Sequence, residues 1–504
     1  MTGWPSLAVP WRRSAAAALL LLGAGVVGAT PPAADAPAPW ACFTADEGAR
    51  ARRQEVERGL LPRVVFEGET QAAGIESRLA HHKTPALSVA VIRGGRLDWS
   101  AAWGQLQAGG APAGCDSLFQ GGSLAKPATV LAVLRLRQQG LVDLDRNIDA
   151  YLTSYRLPPG RQTAANPVTL RHLLAHTSGV TPGGYAGYPT GQALPSDLQT
   201  VRAEPPANGP KVEVLEPPGS GLAYSGGGYT VVEIALQDQL RQPFERIVHE
   251  RLFAPVGMRQ ADFTVPLPAA SHARAARGHR PDGSGVPGGW HDHPEQAAAG
   301  LWATASDLAQ LLMEVRKAHD GQSTVLTQAS IHELLAAPAE GHAFGFRLIG
   351  QGEGVFLTHY GGTLGYRAGM TINLRTGNGA VFLGNSDNAA ALGHEFLSAV
   401  SRTYGWPVFR ETRVQRAPLP ATVAQSVAGR YVFDDEGWKV DVVQEQGSLV
   451  LVFPNGDRYT MVPVNSGPRA FIHPDTAVRA SFSGEGAATT IQLYGQTGRR
   501  QAPQ

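Results

Sequence analysis

Apolar residues recur along the chain with two different periods, which separate expected strands from expected helices. Runs rich in β-branched and aromatic residues flank Gly94-Gly95, a two-residue connection that suits a tight hairpin. Antiparallel strand pairs are expected at 87–92 with 97–103 and at 370–374 with 379–383. Spacings of three and four positions predict helices. These helices cover 70–81, 124–139, 170–176, 229–239, 243–252, 306–317 and 389–404.

The order of these elements indicates an α+β domain. Helices lie between the two strand pairs, so the first and last strands are expected to share one antiparallel sheet flanked by helices. Beyond Pro418 the pattern changes to short alternating strands, which predicts a separate, small, all-β C-terminal domain. Its strands are expected at 430–433, 439–444, 449–453, 459–462, 470–473 and 491–494, with Asn455-Gly456 as a hairpin turn.

Length and the N-terminus indicate the domain organisation. With 504 residues the chain exceeds the ~250–300 residues that one core usually serves. Arg12 and Arg13 precede an apolar run at 14–28 and small residues at Val27-Gly28-Ala29, as in a signal peptide. A membrane anchor is the alternative, although spanning takes ~20 apolar residues. The expected segments are a signal peptide at 1–29, a leader or linker at 30–64, the α+β domain at 65–415 and the β domain at 416–504, in a periplasmic or secreted protein.

Charge and cysteine content narrow the classes of function. Lys plus Arg number 43 and Asp plus Glu 42, so the chain has no excess positive charge for binding nucleic acid. Cys42 and Cys115 are the only cysteines, and in an exported chain they either form a disulfide or remain free. Two cysteines do not make a zinc site, and His291-Asp292-His293 has no clear further ligand. We therefore expect no metal and no cofactor.

A serine followed three residues later by a lysine opens the helix expected at 124–139. Positions i and i+3 of a helix lie on one face, so the Ser123 hydroxyl and the Lys126 amine become neighbours. A serine hydroxyl is a weak nucleophile and needs a nearby group that accepts its proton. Lys126 meets this need only if its pKa falls from ~10.4, which burial can achieve. A helix cap followed by a surface lysine is the alternative interpretation.

Tyr224 is a second candidate for proton transfer. It follows a Pro-rich segment at 217–220 and precedes the glycines at 226–228, a setting that presents a tyrosine from a loop just before a helix. Taken alone, this tyrosine is more typical of a packed loop residue. Its interpretation therefore depends on the other motifs.

Three short motifs together resemble those of the class C β-lactamase-related serine hydrolases. Ser123-x-x-Lys126, Tyr224-Ser225-Gly226 and His359-Tyr360-Gly361 occur in the order and rough spacing of that family's active-site motifs. Further blocks that look like the family lie at 170–179, 243–244, 255–258 and 300–308. The resemblance covers roughly residues 70–405. The family includes β-lactamases, D,D-peptidases, D-aminopeptidases and esterases, and the C-terminal β domain resembles the small barrel-like module often appended to them.

The resemblance implies a fold and a set of catalytic roles. The fold would be that of β-lactamases and penicillin-binding proteins, an antiparallel sheet flanked by helices. Ser123 would attack a carbonyl carbon and form an acyl-enzyme. Lys126 and Tyr224 would pass the proton to the leaving group and later activate water. The backbone N–H groups of Ser123 and Gly362 would form the oxyanion hole.

The second and third motifs imply the substrate site. His359 stands where the β-lactamases have lysine, so it would orient the substrate or tune Tyr224. Gly361 and Gly226 would bind substrate. Many family members have asparagine at the position of Gly226, and the loss of that amide puts β-lactam and peptide recognition in doubt. An ester or a small amide is therefore favoured.

We expect an exported serine hydrolase that cleaves an ester or amide bond, with esterase or D-amino-acid peptidase-like activity. Its partners would be small-molecule substrates, namely esters, amides, D-amino-acid peptides or β-lactams, and not nucleic acid. After signal cleavage the protein would have no stable membrane span. A catalytically weak cell-wall or partner-binding protein on the same scaffold is the alternative. A hydrolase of the G-x-S-x-G type is excluded, because Ala125 stands where the last glycine belongs.

Overall fold

A computed structural model describes residues 42–501 of the chain, except 338, 340, 434–437, 455 and 468. The signal peptide expected at 1–29 and Asn455 of the expected hairpin lie outside the described residues. The described helices are α1 (Glu47–Arg58), α2 (Ile75–His81), α3 (Ala125–Gln138), α4 (Leu170–Leu174), α5 (Asp197–Arg202), α6 (Gly226–Leu240), α7 (Phe244–Val248), α8 (Ala254–Val256), α9 (Gln296–Ala299), α10 (Ala305–His319), α11 (Gln328–Leu335), α12 (Ala389–Tyr404) and α13 (Ala421–Val427).

The long predicted helices are confirmed with small shifts at their ends. α12 has the bounds that its apolar spacing predicts. α3 is followed by Gly140, whose φ of 73° suits the residue after a helix C-terminus. The apolar spacing does not predict α1, which lies inside the expected leader or linker at 30–64. This helix is mostly charged and buries only Ala49 and Val56, so it lacks the apolar stripe that identifies a helix in a sequence.

The strands form one large sheet, a barrel and several short pairs. The large sheet has the order β3-β2-β12-β11-β10-β9-β8. Its neighbours are antiparallel, and Ala90 of β2 lies opposite Val381 of β12, which confirms that the first and last strand pairs share a sheet. The described strands are β1 (Val64–Phe66), β2 (Ala86–Arg93), β3 (Arg96–Gly104), β4 (Phe119–Gly122), β5 (Tyr188–Pro189), β6 (His291–Asp292), β7 (Leu301–Ala303), β8 (His342–Ala343), β9 (Phe346–Ile349), β10 (Phe356–Thr363), β11 (Tyr366–Ile372), β12 (Gly379–Gly384), β13 (Thr412–Val414), β14 (Gly429–Phe433), β15 (Lys439–Glu445), β16 (Ser448–Val452), β17 (Arg458–Pro463), β18 (Ala470–Ile472), β19 (Arg479–Ser483), β20 (Thr490–Leu493) and β21 (Gln496–Arg500).

Helices cover both faces of the large sheet. On one face Val89 and Val91 belong to a core that includes residues of α1 and α12. On the other face Ala90 and Ile92 belong to the larger core, which includes residues of α3, α6 and α10. A strand that is buried on both faces is apolar throughout. The nearly continuous apolar run in β2 therefore follows from its place in the fold.

The C-terminal region forms a barrel. Within the described part of the chain, β14 to β21 make a closed antiparallel barrel of eight strands, in which Tyr431 of β14 lies opposite Arg500 of β21. The sequence pattern does not predict β19 and β21. β19 buries only Ala480 and Phe482 and β21 only Gly498, so neither strand carries a strong apolar signal. The expected β region is confirmed, and the barrel closes through strands that were not expected.

Contacts along β1 and α2 join the barrel to the α+β region. β1 pairs in parallel with β13, and Val64 packs in a small cluster with Val464 and Ile472 of the barrel region. His81 Nε2 of α2 lies 3.2 Å from Asp475 Oδ1 in the loop after β18. No helix in the described ranges is long and apolar enough to cross a membrane.

A disulfide ties the start of the described chain to the body of the fold. The backbone of Phe43 and Ala45 hydrogen-bonds to the edge strand β3. Cys42, directly before these residues, is joined to Cys115, with their Cα atoms 5.2 Å apart. Cys115 precedes β4, the strand that leads to Ser123. The start of the described chain is therefore fastened to the segment that leads through β4 to the candidate nucleophile.

Candidate active site

Ser123 lies at the junction of a strand and a helix. β4 ends at Gly122 and α3 begins at Ala125. Gly122 has a φ of 51°, which residues with a Cβ seldom adopt, and this conformation turns the chain from the strand into the helix. Ser123 is half-buried, and the Lys126 N–H donates to Ser123 O at 3.0 Å. The hydroxyl and the lysine are thus separated by one tight turn.

Lys126 is buried and contacts the serine directly. Its Nζ lies 3.2 Å from Ser123 Oγ and donates to Ala298 O at 2.7 Å. Burial lowers the pKa of Lys126 to about 7. Much of this amine is therefore neutral at neutral pH, and a neutral amine can accept the serine proton. With only 2% of its surface exposed, Lys126 is not the surface lysine of the alternative interpretation.

Tyr224 stands in the loop directly before α6, as its sequence setting predicts. Its side chain interacts with that of Ser123, and Lys126 Nζ lies 4.9 Å from the centre of its ring. Partial burial raises the pKa of Tyr224, and the interaction with Ser123 opposes that rise. The phenol therefore carries its proton at neutral pH and can donate it. With 42% of its surface exposed, Tyr224 is also open to a substrate.

The groups that surround Lys126 cannot be recognised as part of the site from the sequence pattern. Its acceptor, Ala298 O, belongs to α9, and a backbone carbonyl cannot be recognised from residue type. Glu233 of α6 is buried, and its carboxyl accepts from the Ala297 N–H at 2.9 Å. Burial raises the pKa of Glu233 well above its ordinary value. This contact holds α9 in the position from which Ala298 meets the lysine.

His176 is a second group to which the sequence analysis assigns no role. It lies in the family-like block at 170–179. The structure packs its ring against Tyr224, with the ring centres 4.3 Å apart and the planes inclined by 33°. It therefore belongs to the site.

His359 lies on β10 and is buried, with 7% of its surface exposed. Burial, together with the charges of Lys126 and Arg347, lowers the pKa of His359 to about 3. The imidazole is therefore neutral and does not supply the positive charge that a lysine would bring here. Its ring hydrogen-bonds the backbone of Gly345, and Nδ1 has no partner among the described residues. That nitrogen is itself buried, so it is an unpartnered polar atom inside the fold and does not reach a substrate in this conformation.

Glycines bring β10 against the segment that carries the candidate nucleophile. A Cβ on Gly361 would lie 1.8 Å from Gly121 O, and a Cβ on Gly122 would lie 2.8 Å from Gly362 N. Only glycine permits so close an approach of two backbones. Gly362 N thus lies beside the residue that precedes Ser123. This placement suits the expected oxyanion hole, which stays a prediction.

The space beside Gly226 is filled by the neighbouring loop. A Cβ on Gly226 would lie 3.1 Å from Gly183 O and 3.3 Å from the ring of Tyr185. The Gly226 N–H donates to Gly183 O at 2.9 Å, and the Tyr185 hydroxyl is hydrogen-bonded to Thr230. An asparagine would crowd this loop. The chain thus places an aromatic ring beside the position where many family members have an amide.

Potential metal ligands gather away from Ser123. In the described ranges, one group of His, Cys, Asp or Glu side chains has its ligand atoms within 4.8 Å of one another, and its members are His81, His82 and Asp475. The Arg78 guanidinium lies 3.2 Å from His82 Nε2 and 4.0 Å from Asp475 Oδ1. This positive charge opposes a metal ion at the same place. The triplet at 291–293 is not part of that group.

Comparison with known proteins identifies relatives over much of the chain. The family model described as Beta-lactamase matches residues 72–397, more than half of the 504 residues. Penicillin-binding protein 4 of Amycolatopsis lactamdurans is 30% identical over 192 residues, which are 38% of this chain and 47% of that protein. Esterase EstB of Burkholderia gladioli is 32% identical over 169 residues, which are 32% of this chain and 42% of the esterase. The chain spans less than half the length of either relative.

Solved structures show the fold. The octameric penicillin-binding protein homologue from Pyrococcus abyssi has a TM-score of 0.58 and 19% identity, covering 84% of this chain and 98% of that one. SurE has a TM-score of 0.53 and 20% identity, covering 85% of this chain and 97% of its own. The expected β-lactamase and penicillin-binding-protein-like fold and the resemblance to that family are confirmed.

Proposed function

Because the chain belongs to the Beta-lactamase family, we propose that it is an exported serine hydrolase that works through an acyl-enzyme on Ser123. One observation carries the proposal. Ser123 Oγ lies 3.2 Å from the amine of a buried lysine, and burial lowers the pKa of that lysine to about 7. A buried lysine beside a half-buried serine supplies the proton acceptor that the nucleophile needs.

The acylation step assigns different roles to the lysine and the tyrosine. Ser123 Oγ forms a bond to the substrate's carbonyl carbon while its proton passes to neutral Lys126. The N–H groups of Ser123 and Gly362 stabilise the negative oxygen that results. The bond from the carbonyl carbon to the leaving oxygen or nitrogen then breaks, and the leaving group takes the proton of Tyr224. Tyr224 regains a proton from Lys126, which returns to its neutral form.

Deacylation uses the same roles with water as the nucleophile and Ser123 Oγ as the leaving group. Lys126 accepts a proton from water, whose oxygen bonds to the acyl carbon. The bond to Ser123 Oγ breaks and this oxygen takes the proton of Tyr224. Tyr224 then takes the proton that Lys126 gained from water, and Lys126 is neutral again. The products are a carboxylic acid and the resting enzyme. Neutral His359 takes no part in these proton transfers, and its proposed role is to orient the substrate or to tune Tyr224.

The surroundings of the site favour an ester over a β-lactam. Gly226 brings no amide to the site, and Tyr185 fills the adjoining space with an aromatic ring. Leu222 and Tyr360 are large apolar residues near the motifs in sequence, and each exposes 47% of its surface. The match to an esterase supports the same class. The matches to penicillin-binding proteins keep D-amino-acid peptides as a second substrate class.

The proposal includes the domain boundaries and the destination of the protein. The hydrolase domain is assigned to 65–415 and the β domain, which contains the barrel, to 416–504. A signal peptide at 1–29 would direct export to the periplasm or beyond. The Cys42–Cys115 disulfide supports an oxidising destination, because such bonds persist outside the reducing cytosol.

The test is hydrolysis of a short-chain aryl ester by the chain without residues 1–29, measured beside Ser123→Ala. We expect the variant to lose the activity, and we expect the unaltered protein to turn over a chromogenic cephalosporin more slowly than the ester. Ser220→Ala, at an exposed serine, is the matched control and should keep full activity. Equal activity in Ser123→Ala would contradict Ser123 as the nucleophile. No activity in either protein would favour a specialised peptide substrate or the alternative of a binding protein on a hydrolase scaffold.

A further inference from the structure

One residue holds the backbone on both sides of Tyr224. The Ala223 N–H, directly before the tyrosine, donates to His176 O at 2.8 Å. The Ser225 N–H, directly after it, donates to His176 Nδ1 at 3.1 Å. These two bonds hold the backbone N–H groups of the residues before and after Tyr224. The direction of the Tyr224 side chain is therefore set by His176.

The imidazole also supports the tyrosine ring. His176 is buried, with 6% of its surface exposed. Its ring centre lies 4.3 Å from that of Tyr224 and 5.2 Å from that of Tyr229. The Tyr229 hydroxyl donates to Leu174 O at 3.1 Å, and this bond holds the Tyr229 ring in place beside His176. Tyr224 is thus restrained through both its backbone and its ring.

The backbone of His176 has a conformation that a histidine seldom adopts. α4 ends at Leu174, and two hydrogen bonds close its end: the His176 N–H donates to Leu173 O at 3.3 Å, and the Thr177 N–H donates to His172 O at 2.9 Å. His176 itself lies in the left-handed region, with a φ of 57°. Glycine is the usual residue there. A histidine is explained by the use of its side chain at Ser225.

The bond from Ser225 also determines the state of the imidazole. Because Nδ1 accepts a hydrogen bond, the proton of the neutral ring lies on Nε2. Burial lowers the pKa of His176 well below its ordinary value, and the charge of Lys126 lowers it further. His176 therefore stays neutral and accepts no proton during turnover. Its action on the reaction passes through Tyr224.

From this geometry we infer that His176 is a positioning residue for the proposed reaction. It holds the Tyr224 side chain beside Ser123 through hydrogen bonds with the N–H groups of Ala223 and Ser225 and through packing of the rings. The inference rests on the proposed function, since it assigns His176 a part in delivering the proton to the leaving group. Lys126 and Tyr224 transfer the protons, and His176 keeps Tyr224 in place for its part.

The experiment compares His176→Gly with His176→Asn in the intact chain. Both residues tolerate the left-handed conformation, but only asparagine offers an acceptor to the Ser225 N–H. We expect His176→Gly to lower kcat for the aryl ester about a hundredfold with little change in KM, because small misplacements of a reacting group cost that much. His176→Asn should have a kcat at least about tenfold higher than that of His176→Gly. His172→Asn, in the same segment, is the matched control and should leave kcat unchanged.

Each outcome separates the role of His176 from the role of Ser123. Ser123 is first labelled with a serine-reactive phosphonate in the unaltered protein. If labelling succeeds and both His176 variants keep the full kcat, the positioning role is wrong and the hydrolase function stands. If the two variants lose kcat equally, or lose it only in proportion to their loss of folded protein in thermal unfolding, the acceptor role is wrong. If the unaltered protein is not labelled at Ser123, both proposals fail.

Discussion

Replacing Lys126 with methionine should lower kcat/KM for an aryl ester at least about a hundredfold, because the serine loses its general base. The same change should not destabilise the protein. Methionine fills a similar volume, and it removes a buried amine whose burial is unfavourable, as the fall of the Lys126 pKa to about 7 indicates. Steady-state kinetics and thermal unfolding of the two proteins measure both effects.

The pH dependence of the unaltered enzyme gives a second measure of the same group. Lys126 accepts a proton only in its neutral form, so kcat/KM should rise with pH through about 7 and then level off. This rise of kcat/KM with pH should be absent from the residual activity of Lys126→Met. Lys211→Met, at a lysine whose side chain is 61% exposed, is the matched control for the lost charge. Activity within tenfold of the unaltered protein in Lys126→Met would contradict the general-base role.

Removing the disulfide should cost about 4 kcal/mol of unfolding free energy, because the bond closes a long loop and restricts the unfolded chain. Cys42 and Cys115 are separated by 73 residues. The double variant Cys42→Ser, Cys115→Ser should therefore unfold at a lower denaturant concentration. Denaturant unfolding of the two proteins, followed by fluorescence, measures the difference.

The control for this prediction is the unaltered protein in a reducing agent, which should unfold like the double variant. Alkylation of the oxidised protein under denaturing conditions should find no free thiol. Equal unfolding midpoints in the double variant and the oxidised protein would contradict a stabilising bond. Free thiols in the oxidised protein would contradict the bond itself.

Much of the fold is predictable because its elements bury apolar residues in regular patterns. α12 and the strands on both sides of Gly94-Gly95 are examples in which period and turn chemistry agree. The failures have the opposite composition. α1 is charged over most of its length, and β21 buries only Gly498. Elements of this kind are fixed by tertiary contacts, which single-chain patterns do not contain.

The residues of the site also differ in how far the sequence pattern predicts them. Ser123 and Lys126 are neighbours in sequence, so helix geometry predicts their contact, and the structure places them 3.2 Å apart. Tyr224 and His359 come from distant segments and could be assigned only through the resemblance to a family. Ala298 contributes a backbone carbonyl, which carries no residue signature. His176 acts through hydrogen bonds to the backbone beside Tyr224, and only the folded structure reveals them.

The central claim is that Ser123 is the nucleophile, and covalent labelling tests it most directly. The protein is treated with a serine-reactive phosphonate, its intact mass is measured, and the modified peptide is sequenced by mass spectrometry. We expect one adduct, located on Ser123, and none in Ser123→Ala treated in parallel. An adduct on a different serine, or equal labelling of Ser123→Ala, would contradict the account.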